Sequence, residues 1–189
     1  MKSSNSTVQL IVGAVVLFAA AFGGMYFGGL IGKNSNDASA SQDDVFTDLK
    51  LTPGTEFPDI ELINGEYKPV MSKSLLNPNG TVVLFMDDDC PPCGDVAKDW
   101  QKKIDDGIIE SSQVMGICFA NAAQSHSIHE KYQVNFPIYG DERYVFLDSY
   151  GVDAFPLILV LDKSGVIRYV EHDSNKTLDA SQLKKLLQA

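Results

Sequence analysis

An α/β domain with a central mixed, largely parallel sheet covered by helices on both faces is what this sequence predicts, on three observations. Short apolar runs at 81–86, 114–119 and 157–161 have the length of buried strands. Segments with helical spacing alternate with them. Setting aside the N-terminal apolar and polar stretches leaves 140 residues, Lys50 to Ala189, the size of one domain with its own core.

The elements follow in order. Residues 60–63 and 66–70 flank Asn64-Gly65, which predicts a tight hairpin turn. The run Thr81-Val82-Val83-Leu84-Phe85-Met86 reads as a buried strand. Val96, Trp100 and Ile104 recur every fourth residue, predicting a helix over 93–106 that Gly107 closes. A second buried strand at 114–119 precedes a helix over 122–134. A short strand at 136–139 and a helix over 142–150, stopped by Gly151, come next. Strands at 157–161 and 166–170 are joined by Asp162-Lys163-Ser164-Gly165, which has the chemistry of a hairpin turn. Asp179 with Gln182 three residues on forms a capping box for a last helix to Leu187.

Composition narrows the function. Of 189 residues, 15 are Lys or Arg and 25 are Asp or Glu, a net charge of −10. Within 50–189 the count is 13 basic against 21 acidic, net −8. Nucleic-acid binding rests on clustered Lys and Arg and is excluded as the main role. Three cysteines are too few for a disulfide scaffold, but two of them form Cys90-Pro91-Pro92-Cys93, a spacing that belongs to redox or metal chemistry.

Residues 8–32 carry no charged side chain over 25 positions, with Lys2 and Lys33 outside them. A membrane-crossing helix needs about 20 apolar residues, so this span is expected to be a transmembrane anchor after a short tail at 1–7. The rival is a signal peptide cleaved after Ala38-Ser39-Ala40, whose apolar region would run only about 7–15 residues. The acidic residues beyond the span lean toward an extracytoplasmic (periplasmic) domain. Residues 33–49, rich in Ser, Asp and Ala, read as a flexible tether. Gly24, Gly28 and Gly32 share one helix face and permit a close-packed homodimer. The frequency of glycine in membrane helices is the simpler account of them.

The cysteine pair sits where a buried strand gives way to a helix. A thiol at a helix N-terminus meets unpaired backbone N–H groups and the positive end of the macrodipole, which favour the reactive thiolate. Cys90 is expected to lie exposed at the end of the loop, as the attacking sulfur. Cys93, drawn into the first turn, is placed to resolve a mixed disulfide. Pro91 and Pro92 suit a helix start. A static disulfide is the plain alternative.

Three segments carry a family resemblance. Residues 53–62, Pro-Gly-Thr-Glu-Phe-Pro-Asp-Ile-Glu-Leu, are similar to the leading segment of thioredoxin-like proteins of the membrane-anchored TlpA/ResA and redoxin type. Val82-Val83-Leu84-Phe85 followed by Cys90-Pro91-Pro92-Cys93 resembles their strand and active-site motif. Residues 150–165 resemble the segment that bears their cis-proline. The likeness spans about 50–188. It implies a thioredoxin-like fold, a location outside the cytoplasm, and thiol–disulfide exchange with protein partners without a cofactor. It also implies that Pro156 is the cis-proline facing the cysteines and that Phe155 presents backbone to a bound partner.

Departures from that pattern bear on the chemistry. Met86 and Asp89 stand where many relatives have Trp, Leu84 stands where thioredoxins bury a carboxylate, and Gly94 replaces a frequent basic residue. Asp87, Asp88 and Asp89 directly precede Cys90. Three carboxylates oppose a thiolate, so the disulfide is expected to be weakly oxidising and the role reductant- or isomerase-like. One Asp could instead take a proton from Cys93, or merely cap the helix. Cys118, inside an apolar run, is expected to be a buried core residue. His126 and His129, three apart on a helix, read as a solvated face. His172 with the two thiols raises a second class of function, a copper or other soft-metal carrier. A third is a module that docks partners without turnover. A peroxidase would want Thr or Ser three residues before Cys90, where Asp87 stands.

Overall fold

A computed structural model of the chain describes residues 48–172 and 174–189. The expected tail (1–7), anchor (8–32) and tether up to residue 47 lie outside the described residues. Among the described residues no helix is long and apolar enough to cross a membrane. The last two tether positions already belong to the domain: Leu49 packs on its core and the Asp48 carbonyl lies against Gly151.

Seven strands form one mixed sheet: β1 (Glu61–Ile63), β2 (Pro69–Met71), β3 (Thr81–Phe85), β4 (Val114–Cys118), β5 (Ile138–Gly140), β6 (Leu157–Leu161) and β7 (Ile167–Glu171). Their order is β2-β1-β5-β4-β3-β6-β7. Four helices accompany them: α1 (Pro91–Asp105), α2 (Ala122–Tyr132), α3 (Val145–Tyr150) and α4 (Ala180–Leu187). Alternate side chains of β3 enter two cores. Val82 and Leu84 join Trp100 and both motif cysteines on one face, and Val83 and Phe85 join Phe57 and Phe146 on the other. Burial on both faces is why these strands read as unbroken apolar runs.

The sheet is mixed, as expected, with the antiparallel hairpin β1–β2 and pair β6–β7, but the expectation that it is largely parallel is corrected. Only β3–β4 and β4–β5 are parallel, while β3–β6, β6–β7, β1–β2 and β1–β5 are antiparallel. The connection from β5 to β6, residues 141–156, delivers the chain beside the C-terminal end of β3, where Leu157 pairs with Phe85, so β6 runs back against β3. The Glu142–Tyr150 helix is shorter than expected. Asp141 accepts the Phe146 N–H at 2.8 Å, and Tyr144 takes a left-handed φ of 54° before the helix starts.

The hairpin also differs. Asn64-Gly65 does not make a two-residue turn; β1 and β2 pair Ile63 with Pro69 across a five-residue loop. Asn64 Oδ1 accepts the N–H groups of Glu66 (2.9 Å) and Lys68 (3.0 Å), which widens the loop and moves the left-handed residue to Tyr67. Pro69 is tolerated because β2 is an edge strand. Two expected helix ends are present. Gly107, at φ 69°, closes α1 with its N–H on the Ile104 carbonyl. The side chain of Asp179 accepts from Ser181 and Gln182 N–H, both at 2.8 Å, while Gln182 reaches back to Asp179 N–H.

The turn joining β6 to β7 is organised by one carboxylate. Buried Asp162 accepts Ser164 N–H (2.7 Å) and Val166 N–H (3.1 Å) on Oδ1 and Arg168 Nε–H (2.7 Å) on Oδ2. Burial alone would raise its pKa, but the backbone and Arg168 hydrogen bonds outweigh it and hold the carboxyl below its ordinary value. A depressed carboxylate contributes stability above its unfolded pKa and loses it as pH falls through the folded one. Denaturant unfolding at pH 7 should therefore find Asp162→Asn less stable by about 2 kcal/mol. The gap should close as pH drops below about 4.

Candidate active site

The site is assembled where β3 leaves the sheet. Met86 still donates its N–H to Ile117 at 3.0 Å, and the chain then turns through Asp87, Asp88 and Asp89. Asp87 Oδ1 accepts the Asp89 N–H at 3.0 Å, fixing that turn. Cys90 is the N-cap of α1 with extended backbone, and Pro91 and Pro92 are its first two helical residues. The helix thus begins two residues earlier than its apolar periodicity suggests, as prolines at N1 and N2 permit. No side chain caps it, so the capping role considered for an aspartate is not taken up.

Cys90 and Cys93 are joined in a disulfide, with sulfurs 2.00 Å and Cα atoms 5.3 Å apart. Cys93 is fully buried, whereas Cys90 retains 9% of its surface. Cys90 is therefore more enclosed than the exposed position expected for it. It reaches solvent through an open groove of about 470 Å³, walled by Asp88 and Asp89 on one side and by Lys131 and Tyr132 of α2 on the other.

The helix terminus gives less to a thiolate than the sequence argument assumed. A helix start normally offers four unpaired N–H groups. Here Pro91 and Pro92 have none, and the Cys93 N–H donates to the Cys90 carbonyl at 3.1 Å. Against this weakened donor set stand the carboxylates of Asp88 and Asp89, with Asp95, all lining the groove at Cys90. One of them is paired: Lys131 Nζ donates to Asp88 Oδ1 at 2.8 Å and to the Asp88 carbonyl at 2.7 Å.

Lys131 and Tyr132 were not among the expected site residues. The signal that pointed to them was Gly94: a Cβ there would come within 3.1 Å of Tyr132 Cε1, so the ring occupies the space a side chain at 94 would need. The Tyr132 hydroxyl lies 3.4 Å from the Asp87 carbonyl and 3.5 Å from that of Cys90.

The remaining expected residues fall as follows. Phe155-Pro156 is a cis peptide bond, and the Phe85–Leu157 pairing sets Pro156 alongside the exit of β3. Phe155 is half-buried against the core that contains both cysteines, and stacks edge-on with Phe119, ring centroids 5.3 Å apart. Leu84 is buried in β3 as an ordinary core residue. Cys118 is buried, its Sγ donating to the Tyr139 carbonyl at 3.5 Å, and burial with the Asp87 charge pushes its thiol up to about 12. His126 lies 3.4 Å from Glu130 and shares a separate groove with His129. His172 follows β7, its N–H on Glu171 Oε1 at 3.0 Å, and does not line the cysteine groove. Among the described residues no cluster of three His, Cys, Asp or Glu has the geometry of a metal site.

Comparison with known proteins bears on the same residues. The sequence pattern of the AhpC/TSA family matches 53–170, which contains the strand, both cysteines and Pro156. No curated protein sequence matches the chain. Solved structures do. A secreted Mycobacterium tuberculosis disulfide oxidoreductase homologous to E. coli DsbE aligns with a TM-score of 0.53 at 19% identity, covering 68% of this chain and 94% of that one. The thioredoxin domain of a Bacteroides vulgatus thiol-disulfide oxidoreductase aligns at 0.56 and 18%, over 71% and 94%. A Mycobacterium tuberculosis peroxidoxin aligns at 0.58 and 18%, over 72% and 96%. At such identities the likeness is one of fold, and that fold is thioredoxin-like.

Proposed function

The chain belongs to the AhpC/TSA family and is an oxidoreductase, and from that premise we propose that it exchanges thiols and disulfides with protein substrates through Cys90 and Cys93. The observation that carries this reading is the asymmetry of the disulfide, one cysteine lining an open groove and its mate fully buried. In the reduced protein the Cys90 thiolate attacks a substrate disulfide. A Cys90–substrate disulfide forms, and the substrate's other sulfur leaves as a thiolate and takes up a proton. The Cys93 thiolate then attacks Cys90 Sγ, restoring the Cys90–Cys93 bond and releasing the second substrate thiol. Two electrons pass to the substrate, and a separate dithiol donor resets the pair.

A reducing or isomerising direction is supported by the local electrostatics. Prolines at 91 and 92 remove helix donors, and Asp88, Asp89 and Asp95 line the groove with Cys90, so the thiolate is weakly stabilised and the disulfide correspondingly hard to reduce. Phe155 and Pro156, beside the exit of β3, are the proposed seat for the substrate backbone. Peroxide reduction is less well supported, because Asp87 offers a carboxylate already engaged with Asp89 N–H where a hydroxyl would be wanted. On the same reading, in the manner of the TlpA/ResA type, residues 8–32 anchor the chain and 33–47 tether an extracytoplasmic domain. Gly24, Gly28 and Gly32 offer a face for a second copy.

Two measurements, one on a variant and one on the parent chain, test this. Cys93→Ser should accumulate disulfide-linked partners that thiol reductants release. Equilibration of the native pair against glutathione should give a potential well below the roughly −120 mV of the strong oxidant DsbA. An absence of captured partners would remove exchange as the activity, and a potential near that of DsbA would reverse the assigned direction.

A further inference from the structure

The loop that carries Cys90 is held from outside α1, by the last turn of α2. Lys131 Nζ bonds both the carbonyl and the carboxylate of Asp88, at 2.7 and 2.8 Å. The Tyr132 ring packs directly on Gly94, and its hydroxyl approaches the carbonyls of Asp87 and Cys90. The ammonium of Lys131 also sits 5.5 Å from the Tyr132 ring centroid. Three of the four carbonyls from 87 to 90 are thus contacted by two consecutive residues of a helix that belongs to neither the motif nor β3.

We propose that Lys131 and Tyr132 are positioning residues for Cys90: they clamp the 87–90 loop, and the Lys131 ammonium offsets the Asp88 carboxylate in the groove into which Cys90 opens. The charged and titratable groups lining that groove are Asp88 and Asp89 from the loop, Asp95 and Lys98 from α1, and Lys131 and Tyr132 from α2; Asp87, next in the loop, acts on buried Cys118. Phe155, from the β6 side, adds no charge. Lys131 engages Asp88 by direct hydrogen bonds, so removing either partner leaves the other's charge bare. The Lys131 and Asp88 side chains are 49% and 47% exposed, and a pair so exposed adds little to folding stability. Both single variants are therefore expected to fold.

This inference deepens the exchange reading and rests on it. Its test is the rate of iodoacetamide alkylation of Cys90 against pH in the full chain carrying Cys93→Ser. With Lys131→Met, Asp88 is uncompensated, the thiolate is disfavoured, and alkylation at pH 7 should slow about threefold with the profile displaced to higher pH. With Asp88→Asn the bare ammonium should speed it about threefold and displace the profile to lower pH. The double variant should return to within about twofold of the parent. Displacements of the same sign, or profiles that do not move, overturn the positioning role while leaving exchange intact. A Cys90 that is not alkylated at any pH overturns both.

Discussion

Cys90→Ser should reduce the rate of exchange with a chromogenic aromatic disulfide at pH 7 by at least about 10³-fold, to the level of solvent. Neither other thiol can stand in. Cys93 has no exposed surface, so an external disulfide cannot reach its sulfur in line. Cys118 is buried among β4 neighbours with its thiol at about 12, which leaves about one molecule in 10⁵ as thiolate at pH 7. Serine is close to cysteine in size and Cys90 is the N-cap of α1, a position serine favours, so the fold should persist. Stopped-flow absorbance on the reduced variant measures the rate. Exchange within tenfold of the parent would place the reacting sulfur elsewhere and remove the premise on which the electrostatics of the loop were read.

What the sequence made legible, and what it did not, divides by the range of the interactions. Local patterns were readable: the β3-to-α1 junction at the cysteine pair, Gly107 behind α1, and the Asp179–Gln182 box. Each depends on groups a few residues apart, where spacing determines who can meet. The mixed sheet and its antiparallel last pair were readable, but the direction of β6 against β3 was not: it depends on where the 141–156 connection delivers the chain, beside Phe85. Asp141 and Tyr144 shortened α3 by turning the chain before Val145. The Asn64-Gly65 turn failed for a related reason, because the Asn64 side chain bonds the loop backbone in preference to the two-residue geometry. At the site, the residue types around Cys90 were legible as carboxylates, but their pairing was not. Lys131 lies 43 positions from Asp88, and no periodicity links them. Gly94 was visible as a departure, and its cause, the ring of Tyr132, emerged only from the packing of α2 on α1.

Phe146→Ala should cost about 3–5 kcal/mol, which is a large share of the 5–15 kcal/mol that holds a typical domain together. The side chain is fully buried, edge-on to Phe85 with centroids 4.8 Å apart, and its ring also neighbours Phe57 (5.6 Å) and Tyr150 (5.8 Å). Truncation removes the centre of that aromatic group, and neighbours fixed on β3 and α3 can close only part of the void. The Phe146 N–H bond to Asp141 survives, being made by backbone, so the loss is one of packing alone. Thermal unfolding should shift down by roughly 10 °C or more. Phe146 lies in the core of the opposite sheet face from Leu84, Cys90 and Cys93. Well below its melting temperature the variant should therefore exchange disulfides at close to the parent rate. If exchange instead fell tenfold while the protein remained folded, the two faces of β3 would be energetically coupled. The groove at Cys90 would then owe its shape to the aromatic core beneath the sheet as well as to the clamp from α2.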